Sequence, residues 1–455
     1  MTHSLRNPKV EAGAALVTVA LGSFMIALDV TALNVALPNI GRAFLVGIDR
    51  LQWVAGAYAL VFASLLLAAG SVCDRFGARR TFVCGLVTFM VASMACGGAS
   101  GISALIAARA AQGLGAAIML PSSMALLANA YPDPAMRARA IALWGGISAI
   151  GLVAGPVVGG LLCALAGWRA VFYLNAPFCL IAIAAALICR ESRTRHSRAF
   201  DPFGAVLSGM ALASITFALI EAPVLGWSAP LILLALAAAA IAVFTLVAVE
   251  RRIAEPMVPP QLFESVAFTA SVAVAFLQTF AYFGTLFVLP VALQVRGGDP
   301  IATGMQLAPM TITTGVVATL SGRLAEAFGA RRVMTIGMLA GAAGALTLGV
   351  FGIERSPFML GTVLLGMGGA MLPLIVATSL AQVPAHRTGI ASGVVNAARQ
   401  SGGALGIAVL GALMNNARLD AHPALLVIAA AFVAAAVLTF ARLHEQRRTA
   451  STVEA

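Results

Sequence analysis

Long apolar runs alternate with short polar segments along the whole chain. Runs of roughly 18 or more apolar residues recur, and each is long enough to cross the ~30 Å hydrocarbon core of a bilayer as a helix. They are too long and too uniformly apolar for the alternating strands of a membrane barrel. Because backbone groups cannot stay unpaired in lipid, the pattern predicts an all-α integral membrane protein. Fourteen spans are expected, and they begin near Ala12, Ile48, Thr81, Ser103, Arg139, Ala170, Phe203, Ala229, Ala267, Ile301, Val333, Phe358, Gly389 and Pro423.

Two of the polar loops repeat one sequence. Gly70–Arg80 reads GSVCDRFGARR and Gly322–Arg332 reads GRLAEAFGARR, and their first glycines are 322 − 70 = 252 residues apart. The same distance separates Pro121, in GLGAAIMLP, from Pro373, in GMGGAMLP. Such a repeat indicates an internally duplicated membrane protein.

The spacing of the repeat also predicts the domain organisation. A half of six spans, at roughly 30 residues per helix and loop, would give an offset of about 180–190 residues. The excess of about 60 residues leaves room for two more spans. We therefore expect a six-helix bundle at residues 1–198, two inserted helices at residues 199–260, and a second six-helix bundle at residues 261–455.

Composition and charge agree with this interpretation. Hydrophobic residues make up 61% of the chain and charged residues only 10%, against about a quarter charged in soluble proteins. The net charge of +11 would suit a nucleic-acid partner, but the basic residues do not cluster on one face, so no such partner is expected. Instead, 20 of the 28 Lys and Arg residues fall in one alternate set of loops and tails. This bias predicts that both termini and both repeated loops are cytoplasmic, in the inner cell membrane.

The sequence disfavours enzymes, primary pumps and metalloproteins. The six cysteines show no C-x-x-C spacing and the five histidines lie in tails or loops, so no metal site is expected. A P-loop needs a lysine after its glycines, and the only lysine is Lys9. No loop is large enough for a soluble domain, and there is no constellation of His, Cys and acidic residues. We expect a protein that is not an enzyme and has no cofactor.

Asp29 is an acidic residue whose position inside an apolar span indicates a functional role. It lies about 17 residues, or roughly 25 Å, into span one, where a charged side chain costs about 2.5–3.5 kcal/mol on insertion scales. Arg109 enters span four at a comparable depth, and Gln112, a candidate cavity residue, lies one turn further on the same face. Ionisable residues inside spans are usually functional. The alternatives are a structural acid held by Arg109 or by capping groups, and an arginine that only bonds backbone carbonyls.

Several segments resemble the major facilitator superfamily, and within it the fourteen-span drug:proton antiporters. Gly70–Arg80 matches the family loop G-x-L-x-D-R-x-G-R-[RK], with Val72 in place of Leu and Ala78 inserted. Gly151–Gly160, GLVAGPVVGG, matches the antiporter signature G-x-x-x-G-P-x-x-G-G. Further similar segments are Leu28–Ile40 (LDVTALNVALPNI), Ala107–Ala117 (AARAAQGLGAA), Trp168–Phe178 (WRAVFYLNAPF) and Asn396–Ala408 (NAARQSGGALGIA).

The resemblance implies the major facilitator fold and a proton-coupled exporter of small organic molecules such as drugs or antibiotics, working by alternating access. It also implies that Asp29 and Arg109 take part in proton coupling, and that the proton gradient drives transport. The partners are then a small-molecule substrate, protons and the lipid bilayer, and we expect a monomer. The alternative is a proton symporter for a metabolite or nutrient on the same fold.

Span five is a candidate moving part. Gly151, Gly155 and Gly159 repeat at the small-xxx-small spacing that lets helices pack closely, and Pro156 can bend the helix. The resemblance ties this bend to export, and tight packing alone is the alternative.

The repeated loop is a candidate gate. Asp74 is expected to accept hydrogen bonds from a helix N-terminus or to pair with Arg79 or Arg80. Such a latch would stabilise one closed arrangement, whereas the alternative role of the loop is only to fix topology. The gate residues are Gly70, Asp74, Gly77, Arg79, Arg80 and Glu326.

Spans nine and thirteen supply further candidates for a substrate cavity. Four phenylalanines of span nine step by 4, 3 and 4 and share one helical face; they are Phe276, Phe280, Phe283 and Phe287. Gln278, Tyr282 and Thr285 form the opposite face. We expect the polar face to line the cavity and the Phe face to meet lipid or a neighbouring helix, and the reverse is the alternative. Asn396 and Arg399 lie near the middle of span thirteen, in a half that has no acid inside a span. Arg399 could meet an anionic group of a substrate, or backbone carbonyls freed by Pro309 or Pro373.

Overall fold

A computed structural model of the protein describes residues 8–191, 202–252, 260–295, 297–353, 357–384, 387–414 and 420–443. Within these ranges the chain forms helices and no strand, and a short 3-10 helix lies at Pro260–Glu264. The predicted span starts fall within five residues of helix starts. The α-helices are α1 (Pro8–Phe44), α2 (Ile48–Phe76), α3 (Ala78–Gly97), α4 (Ile102–Ala130), α5 (Pro134–Ala166), α6 (Arg169–Tyr173), α7 (Asn175–Ala186), α8 (Pro202–Leu225), α9 (Pro230–Glu250), α10 (Val266–Val295), α11 (Pro300–Phe328), α12 (Ala330–Phe351), α13 (Phe358–Gly369), α14 (Leu372–Ala381), α15 (Thr388–Met414) and α16 (His422–Arg442).

The described helices make this a multi-pass membrane protein. Twelve are long and apolar enough to cross a membrane, with the consecutive pairs α6/α7 and α13/α14 counted once each. A thirteenth is α2, if its arms Ile48–Leu66 and Ala68–Phe76, which meet at 60°, form one span. The 27-residue α15 is more polar, since it carries Asn396, Arg399 and Gln400. The predicted count of fourteen spans is therefore not confirmed.

The helices pack in two groups with α8 and α9 beside them. Helices α1 to α7 contact one another around buried rings such as Phe82 and Phe89, and α10 to α16 do so around Phe432. Helix α8 packs against α2 and α15, one from each group, and α9 packs against α8. Trp53 Nε1 donates to Glu221 Oε1 at 2.9 Å and so joins α2 to α8. The predicted boundary at residues 198–199 lies outside the described residues, and the three-part division stays a prediction.

Helix α5 contacts the backbone of α1 through its glycines. A Cβ on Gly155 would overlap Thr31 Oγ1 and lie 3.1 Å from the backbone nitrogen of Ala32. A Cβ on Gly159 would lie 2.6 Å from the carbonyl oxygen of Ala32. On another side of α5, the carbonyl of Pro156 touches Gly304 of α11. The glycine spacing of α5 thus lets it lie close to α1, and Gly304 lets α11 approach α5 from the other group.

Polar side chains close one end of the interface between the two groups. Gln294 of α10 donates to the Val35 carbonyl at 2.8 Å, and its Oε1 accepts from Asn39 at 3.3 Å. Gln52 of α2 donates to the Ala408 carbonyl of α15 at 2.6 Å. These contacts lie at the helix ends opposite the repeated loops.

We expect Gly155→Ala to destabilise the protein by about 1–3 kcal/mol, because overpacking forces α5 and α1 apart. Gly145 lies in the same helix and has no atom within 4 Å of where a Cβ would lie. Gly145→Ala is therefore the matched control. Because alanine has a higher helix propensity than glycine, this change should leave stability unchanged or raise it slightly. Thermal unfolding of both purified variants measures the difference, and equal melting temperatures would contradict the packing argument.

Candidate functional site

A cavity of about 1170 Å³ lies between the two groups of helices. Helices α1, α2, α4 and α5 line one side, and α10, α14 and α15 line the other. The lining runs to Gly70 and Ser71 near the end of α2 and to Gly389 near the start of α15. The cavity therefore extends toward the end that carries the repeated loops, away from the end that Gln52 and Gln294 close.

The lining is mostly apolar and carries positive charge only. Aromatic side chains at the cavity include Tyr58, Trp144 and Phe283. Its charged side chains are Arg109 of α4 and Arg399 of α15, and no carboxylate of the described residues borders it. Such a lining suits an organic molecule with a large apolar body.

Asp29 is fully buried in α1, where three polar side chains hold its carboxylate. Its Oδ2 accepts from Arg109 Nη1 at 2.6 Å, and its Oδ1 accepts from Gln112 and Asn175 at 2.9 Å each. Arg109 Nη1 also donates to Gln112 Oε1 at 2.7 Å, and Asn175 also donates to Ser93 Oγ at 3.0 Å. Charge-assisted hydrogen bonds of this kind are strong where water is excluded. The structure thus brings together the predicted coupling residues in one buried network.

Arg109 connects this network to the cavity. Its Nε donates to the Val54 carbonyl at 3.2 Å, and its guanidinium carbon lies 4.6 Å from the centre of the Tyr58 ring. Arg109 and Tyr58 border the cavity, whereas Asp29 does not. A change in the charge of Asp29 would therefore act on a side chain that a bound molecule can touch.

The structure corrects the prediction for three cavity candidates. Gln112 is fully buried in the carboxylate network and does not border the cavity. Gln278 donates to the Gly369 carbonyl at 3.0 Å, and the Tyr282 ring packs against the same glycine. Both side chains are buried between α10 and α13, because the glycine end of α13 leaves room for them. Phe283, from the predicted Phe face, borders the cavity instead.

Asn396 and Arg399, both predicted cavity residues, border the cavity from α15. Arg399 Nη1 donates to Asn396 Oδ1 at 2.8 Å. Its Nε is buried without a hydrogen-bond partner, and no carboxylate in the described ranges pairs with its guanidinium. Arg399 is therefore much less neutralised than Arg109.

Single glycines make the turns of both repeated loops. Gly77 ends α2 and starts α3 with φ 96°, and Gly329 ends α11 and starts α12 with φ 86°. A residue with a side chain is strained at such a positive φ, which explains why glycine recurs at both positions. In the second loop Glu326 is exposed, and the Arg331 guanidinium lies 4.3 Å from the ring centre of Phe440.

Glu191 makes contacts of the predicted kind at the first loop, where Asp74 lies in the last turn of α2. Its carboxylate accepts from the backbone nitrogens of Arg79 and Arg80 at 3.1 Å each. It also lies 3.6 Å and 3.7 Å from the Nε atoms of the same two arginines. Glu191 thus caps α3 and pairs with both arginines. Burial raises the pKa of the nearby Cys189 thiol, so this thiol adds no charge at neutral pH.

Three residues of these sites were not singled out from the sequence. Asn175 had a signal, since it is the amide side chain within the apolar segment Trp168–Phe178. Glu191 also had one, as the acid at the start of the arginine-rich stretch that follows α7. Tyr58 had none, because an aromatic residue in an apolar run is more often a packing residue.

Comparison with known proteins identifies similar chains. The model of the Major Facilitator Superfamily matches residues 19–263 and 271–455. The chain is 37% identical over 415 residues to the multidrug resistance protein Stp of Mycobacterium tuberculosis, covering 90% of this chain and 77% of Stp. It is 34% identical over 445 residues to the methylenomycin A resistance protein of Bacillus subtilis, covering 96% of each. Its fold resembles a crystal structure of D-xylose-proton symporter, with TM-score 0.71 and 15% identity over 96% of this chain and 98% of that one.

Asn175→Ala should lower the free energy of unfolding by about 1–3 kcal/mol, because it removes a donor from the buried carboxylate and from Ser93. Asn34 borders the cavity in the same group of helices, so Asn34→Ala is a matched control that leaves the network intact. Thermal unfolding of the purified variants compares the two changes. A melting temperature for Asn175→Ala no lower than that of the control would contradict the assigned role.

Glu191→Ala should speed hydrogen exchange at the amides of Arg79 and Arg80 by roughly tenfold or more, since each loses a charge-assisted bond. Glu326→Ala, at the exposed acid of the second loop, is the control and should leave these amides unchanged. Exchange measured by mass spectrometry on peptides from α3 gives the result. Unchanged protection in Glu191→Ala would rule out the cap.

Proposed function

Because the chain belongs to the Major Facilitator Superfamily, we propose that this membrane transporter is a proton-coupled exporter of small organic molecules such as drugs or antibiotics. A substrate would bind in the cavity from one side of the membrane. The two groups of helices would then close over it and open to the other side, which is alternating access.

Two observations support organic drugs as the substrates. The relatives with 37% and 34% identity are named as a multidrug resistance protein and a methylenomycin A resistance protein. The cavity of about 1170 Å³ is mostly apolar, and its size is similar to sites that hold drug-sized ligands. Both features favour an exporter of drugs over the alternative, a proton symporter for a metabolite or nutrient.

The buried carboxylate of Asp29 is the main observation that supports proton coupling. It is 0% exposed and lies one side chain away from the cavity, behind Arg109. Ionisable groups at such depth are usually functional in membrane proteins. A carboxyl that exchanges a proton beside the substrate site is what coupling requires.

Protonation of Asp29 would change the state of the cavity. A neutral carboxyl no longer holds Arg109 by charge, so the 2.6 Å ion pair would weaken. Arg109 would then be free to rearrange at the cavity wall. If the two arrangements bind substrate with different affinity, linkage makes substrate and proton influence each other.

The distribution of arginines supports one orientation in the membrane. We place the repeated loops and both termini in the cytoplasm of the inner membrane. The cavity then extends toward the cytoplasm, as an exporter needs for loading. We also propose that α15 is the fourteenth span, as in the fourteen-span drug:proton antiporters, and that the protein acts as a monomer. The polarity of α15 has a physical reason, since Asn396 and Arg399 border the cavity.

The loop and the glycine helix are the proposed moving parts. The pairing of Glu191 with Arg79 and Arg80 would hold the first loop while the cavity is open on that side. The close contacts of α5 with both α1 and α11 support a role as a pivot, and Pro156 would supply its bend.

The test uses inverted membrane vesicles energised to an acid interior. Cationic, neutral and anionic drugs are added in turn, and proton release is followed with a pH-sensitive dye. We expect release with at least one drug, and its loss in Asp29→Asn. Glu264→Gln removes an exposed acid of the 3-10 helix and is the matched control, which should retain release.

Three outcomes are informative. Release that persists in Asp29→Asn would keep the exporter and move the coupling site elsewhere. No release with any drug in the wild-type protein would contradict the exporter. Loss in both variants would assign the effect to general damage and not to Asp29.

A further inference from the structure

The two arginines of the cavity differ in how they are neutralised. Arg109 pairs with Asp29 at 2.6 Å and also donates to Gln112 and to the Val54 carbonyl. Arg399 has the neutral oxygen of Asn396 as its hydrogen-bond partner in the described chain. The cavity thus holds one compensated and one uncompensated guanidinium.

No acid in the described part of the chain pairs with Arg399. Between residues 260 and 443 the acids are Glu264, Asp299, Glu326, Glu354 and Asp420, and each lies near or beyond a helix end. Glu354 lies outside the described residues, in the polar segment between α12 and α13. The Nε of Arg399 is buried, while the side chain borders the cavity. A guanidinium without a counter-ion attracts an anionic group, and more strongly where a bound molecule displaces water. The free energy of this charge would fall if a bound molecule brought an anionic group.

The surroundings of Arg399 fit the rest of such a molecule. Phe283 and Ile407 border the same cavity in the group that contains Arg399, and Tyr58 and Trp144 border it from the opposite group. An aromatic or aliphatic body would be covered by these side chains. Cations have no lining carboxylate to meet and face two guanidinium groups.

We propose that the cavity selects small organic anions, with an apolar body and one carboxylate-type group that binds Arg399. The transport of this substrate class rests on the proposed function. The binding preference is inferred from the cavity alone. The guanidinium matches a carboxylate because its donors lie in one plane and form parallel bonds. Asn396 acts as a positioning residue, since its 2.8 Å bond holds one side of the guanidinium.

The test is equilibrium dialysis of three matched, tritiated probes against the purified full-length protein in lipid nanodiscs. The probes are 1-naphthylacetate, 1-naphthylacetamide and (1-naphthylmethyl)trimethylammonium, which share the ring and differ in charge. The wild-type protein should bind the carboxylate roughly tenfold more tightly than the amide, as one charge-assisted bond provides. The ammonium probe should bind most weakly.

Variants assign the preference to Arg399. Arg399→Gln should abolish the preference for the carboxylate while the amide binds within about twofold of wild type, which also shows that the variant is folded. Arg399→Lys keeps the charge without the planar donors and should retain part of the preference. Arg442→Gln removes an exposed arginine in the last turn of α16, and should change nothing.

Several results would overturn the inference: equal binding of carboxylate and amide to the wild type, a preference that survives Arg399→Gln, or tightest binding of the ammonium probe. The vesicle assay separates this inference from the exporter. Drug-evoked proton release without an anion preference would reject the substrate class and leave the exporter. An Arg399-dependent preference without any release would support the substrate class and reject the exporter.

Discussion

The buried ion pair between Asp29 and Arg109 sets the arrangement of the first group of helices. Removing one partner of such a pair costs about 3–5 kcal/mol, because the other charge stays behind without compensation. The hydrogen-bond partners of the carboxylate and of the guanidinium must therefore come from neighbouring groups. Helix α4 supplies Gln112, the α6/α7 span supplies Asn175, and α2 supplies a backbone carbonyl and the Tyr58 ring. Four spans are held in register by one carboxylate and one guanidinium.

The contacts between the two groups of helices are of two different kinds. Along α5 the contacts are between backbones, where Pro156 meets Gly304 and Gly160 meets Pro300 of α11, and they tolerate little change of distance. At the closed end they are side-chain hydrogen bonds to carbonyl oxygens, made by Gln52 and Gln294. Bonds of the second kind can be exchanged for water at little net cost. A close-packed axis beside an exchangeable polar end is a physical basis for two alternative packings.

What could be predicted from the sequence follows from the range of the interactions. Span positions and the glycine turns at Gly77 and Gly329 depend on local apolarity and local backbone conformation, and they were predictable. The pairing of Asp29 with Arg109 was also within reach, since depth along two helices limits which charges can meet. The neighbour that the Gln278 side chain contacts could not be predicted. Helical periodicity separates two faces of a helix but does not show which neighbouring helix each face meets. That choice depended on a glycine of α13 far along the chain.

Helix α8 packs against α2 and α15, which belong to different groups, and α9 packs against α8 with Leu234 and Phe244 strongly exposed. Any motion that shifts α2 relative to α15 must therefore also shift or tilt this pair within the surrounding lipid. The cost of tilting a helix depends on how its apolar length matches the bilayer. Acyl-chain length and membrane stiffness would then affect the rate of this conformational change, so the transport rate of one protein would differ between membranes of different composition.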